Sequence, residues 1–319
     1  MISGSKMQME TVSCGVCHST QSKPYASGQD FEYSTSEVEF QMVECVDCEN
    51  VYLNPRPSSA ELGVIYPPNY YSYNYDDVIS PVARFAKDKL DRAKVKSWLK
   101  LAGKDALQFL DVGCGNGRYL EMLSQLGVAK EKLYGVEMST ECIDHLKSQG
   151  FNGLCGRIED VEPDLPVGQF DLIVLLQVIE HVEDPAKMVA VLSRLLKSGG
   201  ILVIETPNTR SLDVSLFRRR YWGGYHFPRH WNLFNQDNLS NMVQANGLTV
   251  KSIKYLPAHT FWIYSLHHFA KDKLKSKLLA NWLNPFQNVP LLCIFTGFDL
   301  VRAKLGSRTS NMQVVAQRP

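Results

Sequence analysis

The sequence lacks a charge bias: its 319 residues carry 34 lysines and arginines against 33 acids, a formal net charge of +1. No global field therefore draws the chain to nucleic acid or to an anionic membrane. Long apolar runs are missing too. A spanning helix needs about 18–20 consecutive apolar residues, and the nearest candidate, 289–298, is short and contains Pro290, Thr296 and Gly297. The N-terminal MISGSKMQMETVS has no apolar core of a signal peptide, so the expected location is cytoplasmic. No internal repeat or low-complexity tract stands out. What the chain does have is 45% hydrophobic residues, enough for one large and one small domain.

Four of the eight cysteines form two CxxC pairs, Cys14/Cys17 and Cys45/Cys48, separated by 27 residues. In a chain read as cytosolic, paired spacing of this kind favours metal over disulfide. Four thiolates can close a tetrahedral zinc site with no open position for water, which makes the expected metal structural. It would stabilise a segment whose own core is small. With four cysteines available, His18 reads as a bystander. Cys114, Cys142, Cys155 and Cys293 are scattered over presumed core elements and read as small buried hydrophobes.

Residues 1–75 form the expected zinc-binding module, ending in a Pro/Tyr-rich arm at 54–74 that suits wrapping on a neighbour. Val82, Phe85, Ala86, Leu90, Ala93, Val95, Trp98 and Leu99 have helical spacing, giving a linking helix within 76–104. From 105 to 319 strands and helices alternate. Strands are expected at 107–112, 132–138, 151–156, 170–176 and 201–205, then at 248–256 and 311–317. The run FDLIVLL at 170–176 is almost wholly apolar, as a strand covered on both faces should be. Asp184-Pro185 opens a helix that Gly199-Gly200 is expected to end. The pattern predicts an α/β fold, a Rossmann-like doubly wound seven-stranded sheet with a small zinc-ribbon-like N-terminal module. Insertions fall at 208–235 and 257–310.

The strand ending at Asp111 is followed by Gly113, Gly115 and Gly117 and then a helix, which lets backbone approach a ligand at the sheet's carboxyl edge. Glu137 ends the next strand, where a carboxylate can accept both ribose hydroxyls. A dinucleotide fingerprint also places an acid about 20 residues on. That fingerprint wants glycine where this chain has Arg118, so the dinucleotide reading loses.

The segment 107–256 with the last strand resembles class I S-adenosylmethionine-dependent methyltransferases. The resemblance rests on DVGCGNG, YGVE, FDLIVLLQVIEHVEDP, RLLKSGGILVIETPN and HWNLFNQDNLSNMVQANGL in order. It implies that Asp111, Gly113 and Gly115 meet the methionine part of the cofactor and that Glu137 holds the ribose. Cys114, Gly117, Tyr119, Met138, Ile158, Glu159 and Gln177 complete the expected cofactor set. The adenine-side acid common in the family falls here on Arg157, with Glu159 and Asp160 just beyond. Glu180 and His181 occupy the family's Glu-His position at the cleft mouth. Some relatives add a metal-binding acid there, for which Gln177 is a poor replacement. The module with NPRPSSAELGVIYPPNYY resembles the zinc-binding part of bacterial sugar and polysaccharide-cluster methyltransferases, which implies a small-molecule or glycan-precursor acceptor.

The loop at 218–234 is the longest beyond the strand ends and the expected acceptor wall. His226 and His230 in it, with His181 at the cleft mouth, are the candidate bases, Tyr221 and Tyr225 the candidate orienting groups, and Arg218–Arg220 and Arg229 suit a phosphate or carboxylate. The 257–310 insertion mixes Trp, Leu and Phe with lysines. A pocket lid, a dimer face and a peripheral membrane contact stay open for it. Two rival functions are an rRNA or tRNA methyltransferase and a non-catalytic cofactor-binding scaffold. The even charge balance and the absence of an NPPY-type motif weigh against the first, the intact glycine loop and Glu137 against the second.

Overall fold

The computed structural model describes residues 7–68, 81–103, 107–284 and 288–319. Residues 69–75 of the expected arm, and 76–80 and 104 of the expected linking helix, lie outside them. So do the side chains of Val82 and Ala86 and residues 285–287 of the second insertion.

Short strands build the N-terminal module: β1 (Met9–Glu10), β2 (Ser22–Gly28), β3 (Phe40–Cys45), β4 (Val51–Leu53) and β5 (Arg56–Pro57). Helix α1 (Pro81–Ala102) leads into β6 (Phe109–Val112) and α2 (Arg118–Gln125). Then come β7 (Leu133–Glu137), α3 (Thr140–Ser148), β8 (Asn152–Cys155), β9 (Phe170–Leu176), α4 (Pro185–Leu195) and β10 (Leu196–Pro207). After the two-residue β11 (Asn232–Leu233) follow α5 (Gln236–Ala245), β12 (Thr249–Leu256) and the helices α6 (His259–His268), α7 (Lys277–Trp282) and α8 (Val289–Lys304). β13 (Asn311–Gln317) closes the chain.

The large sheet has seven strands in the order β12-β13-β10-β9-β6-β7-β8. β6 to β10 are mutually parallel, and β13 lies antiparallel between β10 and β12. Every residue of β6 and nearly every residue of β9 is buried, because helices cover both faces. Local chemistry starts the helices as expected. Ser139 accepts from the Cys142 amide at 3.3 Å to cap α3, and Asp184 accepts from the Lys187 amide at 2.9 Å to cap α4. One boundary differs. α4 ends at Leu195, and Gly199 and Gly200 lie inside β10, where the register with β9 shifts between Leu196 and Ile201. Gly199 adopts φ 80, the left-handed region that lets the strand bulge instead of ending.

The chain order of β6, β7 and β9 reverses direction across β6, so a crevice opens beyond the carboxyl ends of β6 and β9. The module does not stand apart from this sheet. β11, far along the chain, pairs with β4 and completes the module's sheet as β11-β4-β3-β2. Phe40, Met42 and Leu53 of the module share one core with Trp222, Tyr225 and Trp231 of the loop before β11. The connection between β2 and β3 sends Asp30 into that loop, where its carboxylate accepts from both terminal nitrogens of Arg229 at 2.9 and 3.2 Å. Both side chains are fully buried.

Burial alone would push the Asp30 carboxyl up, but Arg229, the Thr35 hydroxyl and the Tyr33 amide hold it at about 2. Because the folded value is depressed, this pair's contribution is complete above the ordinary carboxyl range and is lost as pH falls towards 2. Asp30→Ala strands a buried guanidinium and is expected to cost about 3–5 kcal/mol in urea unfolding at neutral pH. A cost under about 1 kcal/mol, the scale of an exposed pair, would show that the pair does not hold the two parts together.

Candidate active-site cleft and cysteine cluster

A cleft of about 610 Å³ occupies the crevice beyond β6 and β9. Gly113 forms its floor. Its φ of 76 is left-handed, and a Cβ there would sit 2.4 Å from Val178 Cγ2, so only glycine lets the turn after β6 close. Glu137 stands at the end of β7. One carboxylate oxygen accepts from the Gly115 amide at 3.0 Å and the other from the Met138 amide at 2.7 Å. These bonds fix the carboxylate's orientation while leaving lone pairs for a ligand.

Gly113, Glu137, Met138, Ile158, Glu159 and Gln177, all expected to hold cofactor, line the cleft together. The remaining members of that set lie below or beside it. Asp111 is buried at the end of β6, and Gly115 reaches Glu137 through its amide. Gly117 takes φ 79 to start α2. Cys114 is buried near Gly135, and the Tyr119 hydroxyl donates to Asp91 of α1 at 3.2 Å. Arg118 also turns to α1, donating to Asp91 at 2.8 Å. Arg157 lines the rim and pairs with Glu183 at 2.7 Å. Gln177 holds φ 56, a strained value for a residue with a Cβ, at the end of β9.

The module also contributes to the lining, through Leu62, Gly63 and Tyr66, and the 218–234 loop contributes Trp231. Of the three candidate histidines only His181 lines the cleft. Its Nδ1 lies 3.0 Å from the Arg229 carbonyl and 3.0 Å from the Tyr66 hydroxyl. A carbonyl can only accept, so the proton belongs on Nδ1 and Nε2 carries the lone pair. Burial, with the His226 charge next, brings the imidazole down to about 3, so it is neutral. His230 sits behind it, ring centroids 4.6 Å apart, and donates from Nδ1 to the Gly224 carbonyl at 2.8 Å. Burial likewise keeps His230 neutral. His226 is buried further back, its Nδ1 2.8 Å from Glu32 of the module. Tyr221 and Tyr225 are not brought to the cleft. The Tyr221 hydroxyl donates to Asp272 at 3.0 Å, and that of Tyr225 to the Arg218 carbonyl. Arg220 pairs with Glu39 and Asp272, and Arg229 with Asp30.

Two buried carboxyls flank the site. Burial, and then the Glu137 charge, pushes Asp111 up to about 8 against the pull of Lys94. Burial pushes Glu180 up to about 8 against its own amide and the Thr206 hydroxyl, which donates at 3.0 Å. Oδ2 of Asp111 and Oε1 of Glu180 have no hydrogen-bond partner among the described residues. Glu180, His181 and His230 bring ligand atoms within 4.8 Å of one another, a mixed oxygen and nitrogen donor set.

The four module cysteines converge. Cys14 and Cys48 sulfurs lie 3.5 Å apart, as do those of Cys17 and Cys45, and all four lie within 4.8 Å. A tetrahedral tetrathiolate zinc site, with Zn–S near 2.3 Å, has edges of about 3.8 Å. The donor set and its spacing fit that ion.

Asp30, Glu32, Tyr66 and Trp231 complete the site from positions that no spacing singled out. QDFEYS at 29–34 reads as an ordinary polar turn, whereas the Pro/Tyr-rich context of Tyr66 and the long 218–234 loop around Trp231 hinted at a wall without singling out either residue. No described residue of the 257–310 insertion lines the cleft.

A family profile described as a methyltransferase domain matches residues 73–253, more than half of the chain. A ubiquinone biosynthesis O-methyltransferase from Methylococcus capsulatus is 32% identical over 127 residues, 38% of this chain and 51% of that protein. The mitochondrial enzyme of the same description from Bos taurus is 29% identical over 191 residues, 54% of this chain and 51% of that protein. The chain spans about half the length of the curated relatives it matches. A solved S-adenosylmethionine-dependent methyltransferase from Archaeoglobus fulgidus aligns with a TM-score of 0.48 at 17% identity, over 75% of this chain and all of that one. By the extent of the profile match, the chain belongs to the methyltransferase domain family.

Proposed function

We propose that the protein transfers a methyl group from S-adenosylmethionine to a small-molecule acceptor, a glycan or lipid-linked precursor among them, with zinc as a structural ion in the module. One observation carries the reading: a single cleft is lined both by the glycine turn and Glu137 and by Leu62, Gly63 and Tyr66 of the module. A volume of about 610 Å³ suits a compact ligand pair rather than a nucleic-acid strand. The curated relatives, named for ubiquinone biosynthesis, support a small acceptor.

When bound, S-adenosylmethionine supplies an electrophilic methyl group on a sulfonium sulfur. Gly113 gives the backbone access that a Cβ would block, and Glu137 would accept the ribose hydroxyls with its remaining lone pairs. Ile158, Met138, Glu159 and Gln177, which line the same cleft, would hold the rest of the cofactor. Asp111, below the turn, carries the proton that a cationic ligand would displace. His181 presents a neutral imidazole to the acceptor side, held in one tautomer by the Arg229 carbonyl. A group held near 3 is a poor proton store, so His181 orients the acceptor more than it takes its proton, and proximity supplies most of the rate. His226 and His230 support that ring from behind.

Three outcomes test these roles. Gly113→Arg fills the turn and is expected to abolish S-adenosylmethionine binding in calorimetry and to lower the melting temperature, because its Cβ meets Val178 at a left-handed φ; a folded variant with retained affinity refutes the loop assignment. Asp111 and Glu180 have folded values raised to about 8, so their stabilising contribution is full below the unfolded carboxyl range and is lost as pH rises through about 8. Melting of the ligand-free protein should therefore fall between pH about 4 and about 8, and Glu180→Gln should flatten that slope; an unchanged slope removes Glu180 from the account. Cys45→Ser should release zinc, read by metal analysis, and lower the melting temperature, whereas a stable variant with normal zinc content would overturn the structural ion.

A further inference from the structure

The cleft leaves the 257–310 insertion unused, yet this insertion holds the largest share of unburied apolar surface. Among the described residues, nine of the eighteen exposed large hydrophobic side chains fall within 274–305. They are not scattered. On α8, Ile294, Phe298 and Val301, with Leu305 just past its end, follow steps of four, three and four, one face of a helix. On α7, Leu278 and Trp282 repeat the step of four, and Leu278 is 86% exposed. The inward faces are otherwise occupied. Ala280 and Leu283 join Ala270, Leu266 and Leu291 in a small core, and Phe295 stacks on Trp262 of α6 at 5.5 Å.

The charge around these faces has one sign. Lys273, Lys277 and Lys304 are exposed. The only two acids between 271 and 308 are withdrawn. Asp299 is fully buried, accepting from the Ala258 amide, Trp262 Nε1 and Arg302. Asp272 is held between Arg220 and Lys275. Among the described residues of 271–308, the exposed charged side chains that accompany this apolar face are therefore all cations.

We propose that the outer faces of α7 and α8 dock on an anionic lipid bilayer, with Leu278, Trp282, Ile294, Phe298, Val301 and Leu305 entering the interface and the lysines meeting lipid headgroups. Apolar burial and headgroup attraction together are what reversible interfacial binding requires. A second copy of this chain is the rival occupant, but a two-fold face would set Lys277 and Lys304 against surfaces of their own sign. Docking here has a functional geometry. α6, which anchors both helices, also accepts the Gly223 amide on Ser265 Oγ at 2.9 Å, within the loop that supplies Trp231 to the cleft. The acceptor side of the cleft is thereby tied to the docked surface.

The test uses the full chain and needs no turnover, so its result is independent of the methyl-transfer reading. Co-sedimentation is measured with vesicles of phosphatidylcholine alone and of equal parts phosphatidylcholine and phosphatidylglycerol. Binding is expected to the anionic vesicles, at least about tenfold weaker to the neutral ones, and lowered by salt. Ile294→Glu combined with Val301→Glu should lose at least about tenfold in vesicle affinity while keeping S-adenosylmethionine binding, and Phe85→Glu, on exposed α1, should lose nothing. Should the double variant fold poorly, a blue shift of tryptophan emission on adding anionic vesicles, abolished by Trp282→Phe, gives the same answer. No sedimentation at low salt, or variants that bind like wild type, would overturn the proposal. So would a concentration-dependent dimer in size exclusion that the double variant dissolves.

Discussion

The ion pair between Arg229 and Asp30 is the contact on which the site depends. Both side chains are wholly buried, so neither can be left without the other at a tolerable cost. The pair joins a turn of the N-terminal module to the loop that follows the fifth parallel strand. Once Arg229 is held there, its carbonyl meets His181 Nδ1, and two residues later the Trp231 amide donates to the Glu180 carbonyl at 2.7 Å. β11 then follows directly and pairs with β4. Module, loop and the Glu-His pair behind β9 are therefore one mechanical unit. The cysteine cluster acts at the far end of that unit, since β3 and β4, which flank Cys45 and Cys48, are the strands that β11 extends.

Electrostatics within the cleft follow from burial more than from pairing. Glu137 is fixed by two backbone amides, whereas Asp111 and Glu180 lack such partners on one oxygen each and shift towards the protonated form. The imidazoles of His181 and His230 shift the other way for the same reason and stay neutral. The acidic and basic side chains lining the ligand-free cleft are Glu137, Arg157, Glu159, Asp160, Glu183, Asp184 and Lys187, while the neutral imidazole of His181 adds no charge.

Much of the fold was legible because its signals are local. The apolar run of β9, the Asp184-Pro185 start of α4 and the glycines after β6 each act over a few residues, and each stands where spacing placed it. Gly199-Gly200 misled because a glycine pair ends a helix and bulges a strand by the same left-handed freedom. Gly113, Glu137, Ile158 and Gln177 were legible for the reason that they lie at successive strand ends, where a doubly wound sheet gathers its ligand contacts. Tyr221 and Tyr225 were not, since nothing local tells which way a loop residue faces; their hydroxyls turn instead to Asp272 and the Arg218 carbonyl.

The sequence by itself determined the parallel sheet, the glycine turn with its acid, the four-cysteine set and the kinship with methyltransferases, all of which depend on neighbours within a strand or turn. Only the tertiary structure decided that Asp30 and Glu32 pair with the 218–234 loop, that His181 alone of three histidines reaches the cleft, and that, among the described residues, the outer faces of α7 and α8 stay uncovered. Those outcomes depend on burial, and burial depends on which distant segments share a core. Asp30 and Arg229 stand far apart along the chain, and no periodicity or spacing carries information over such a separation.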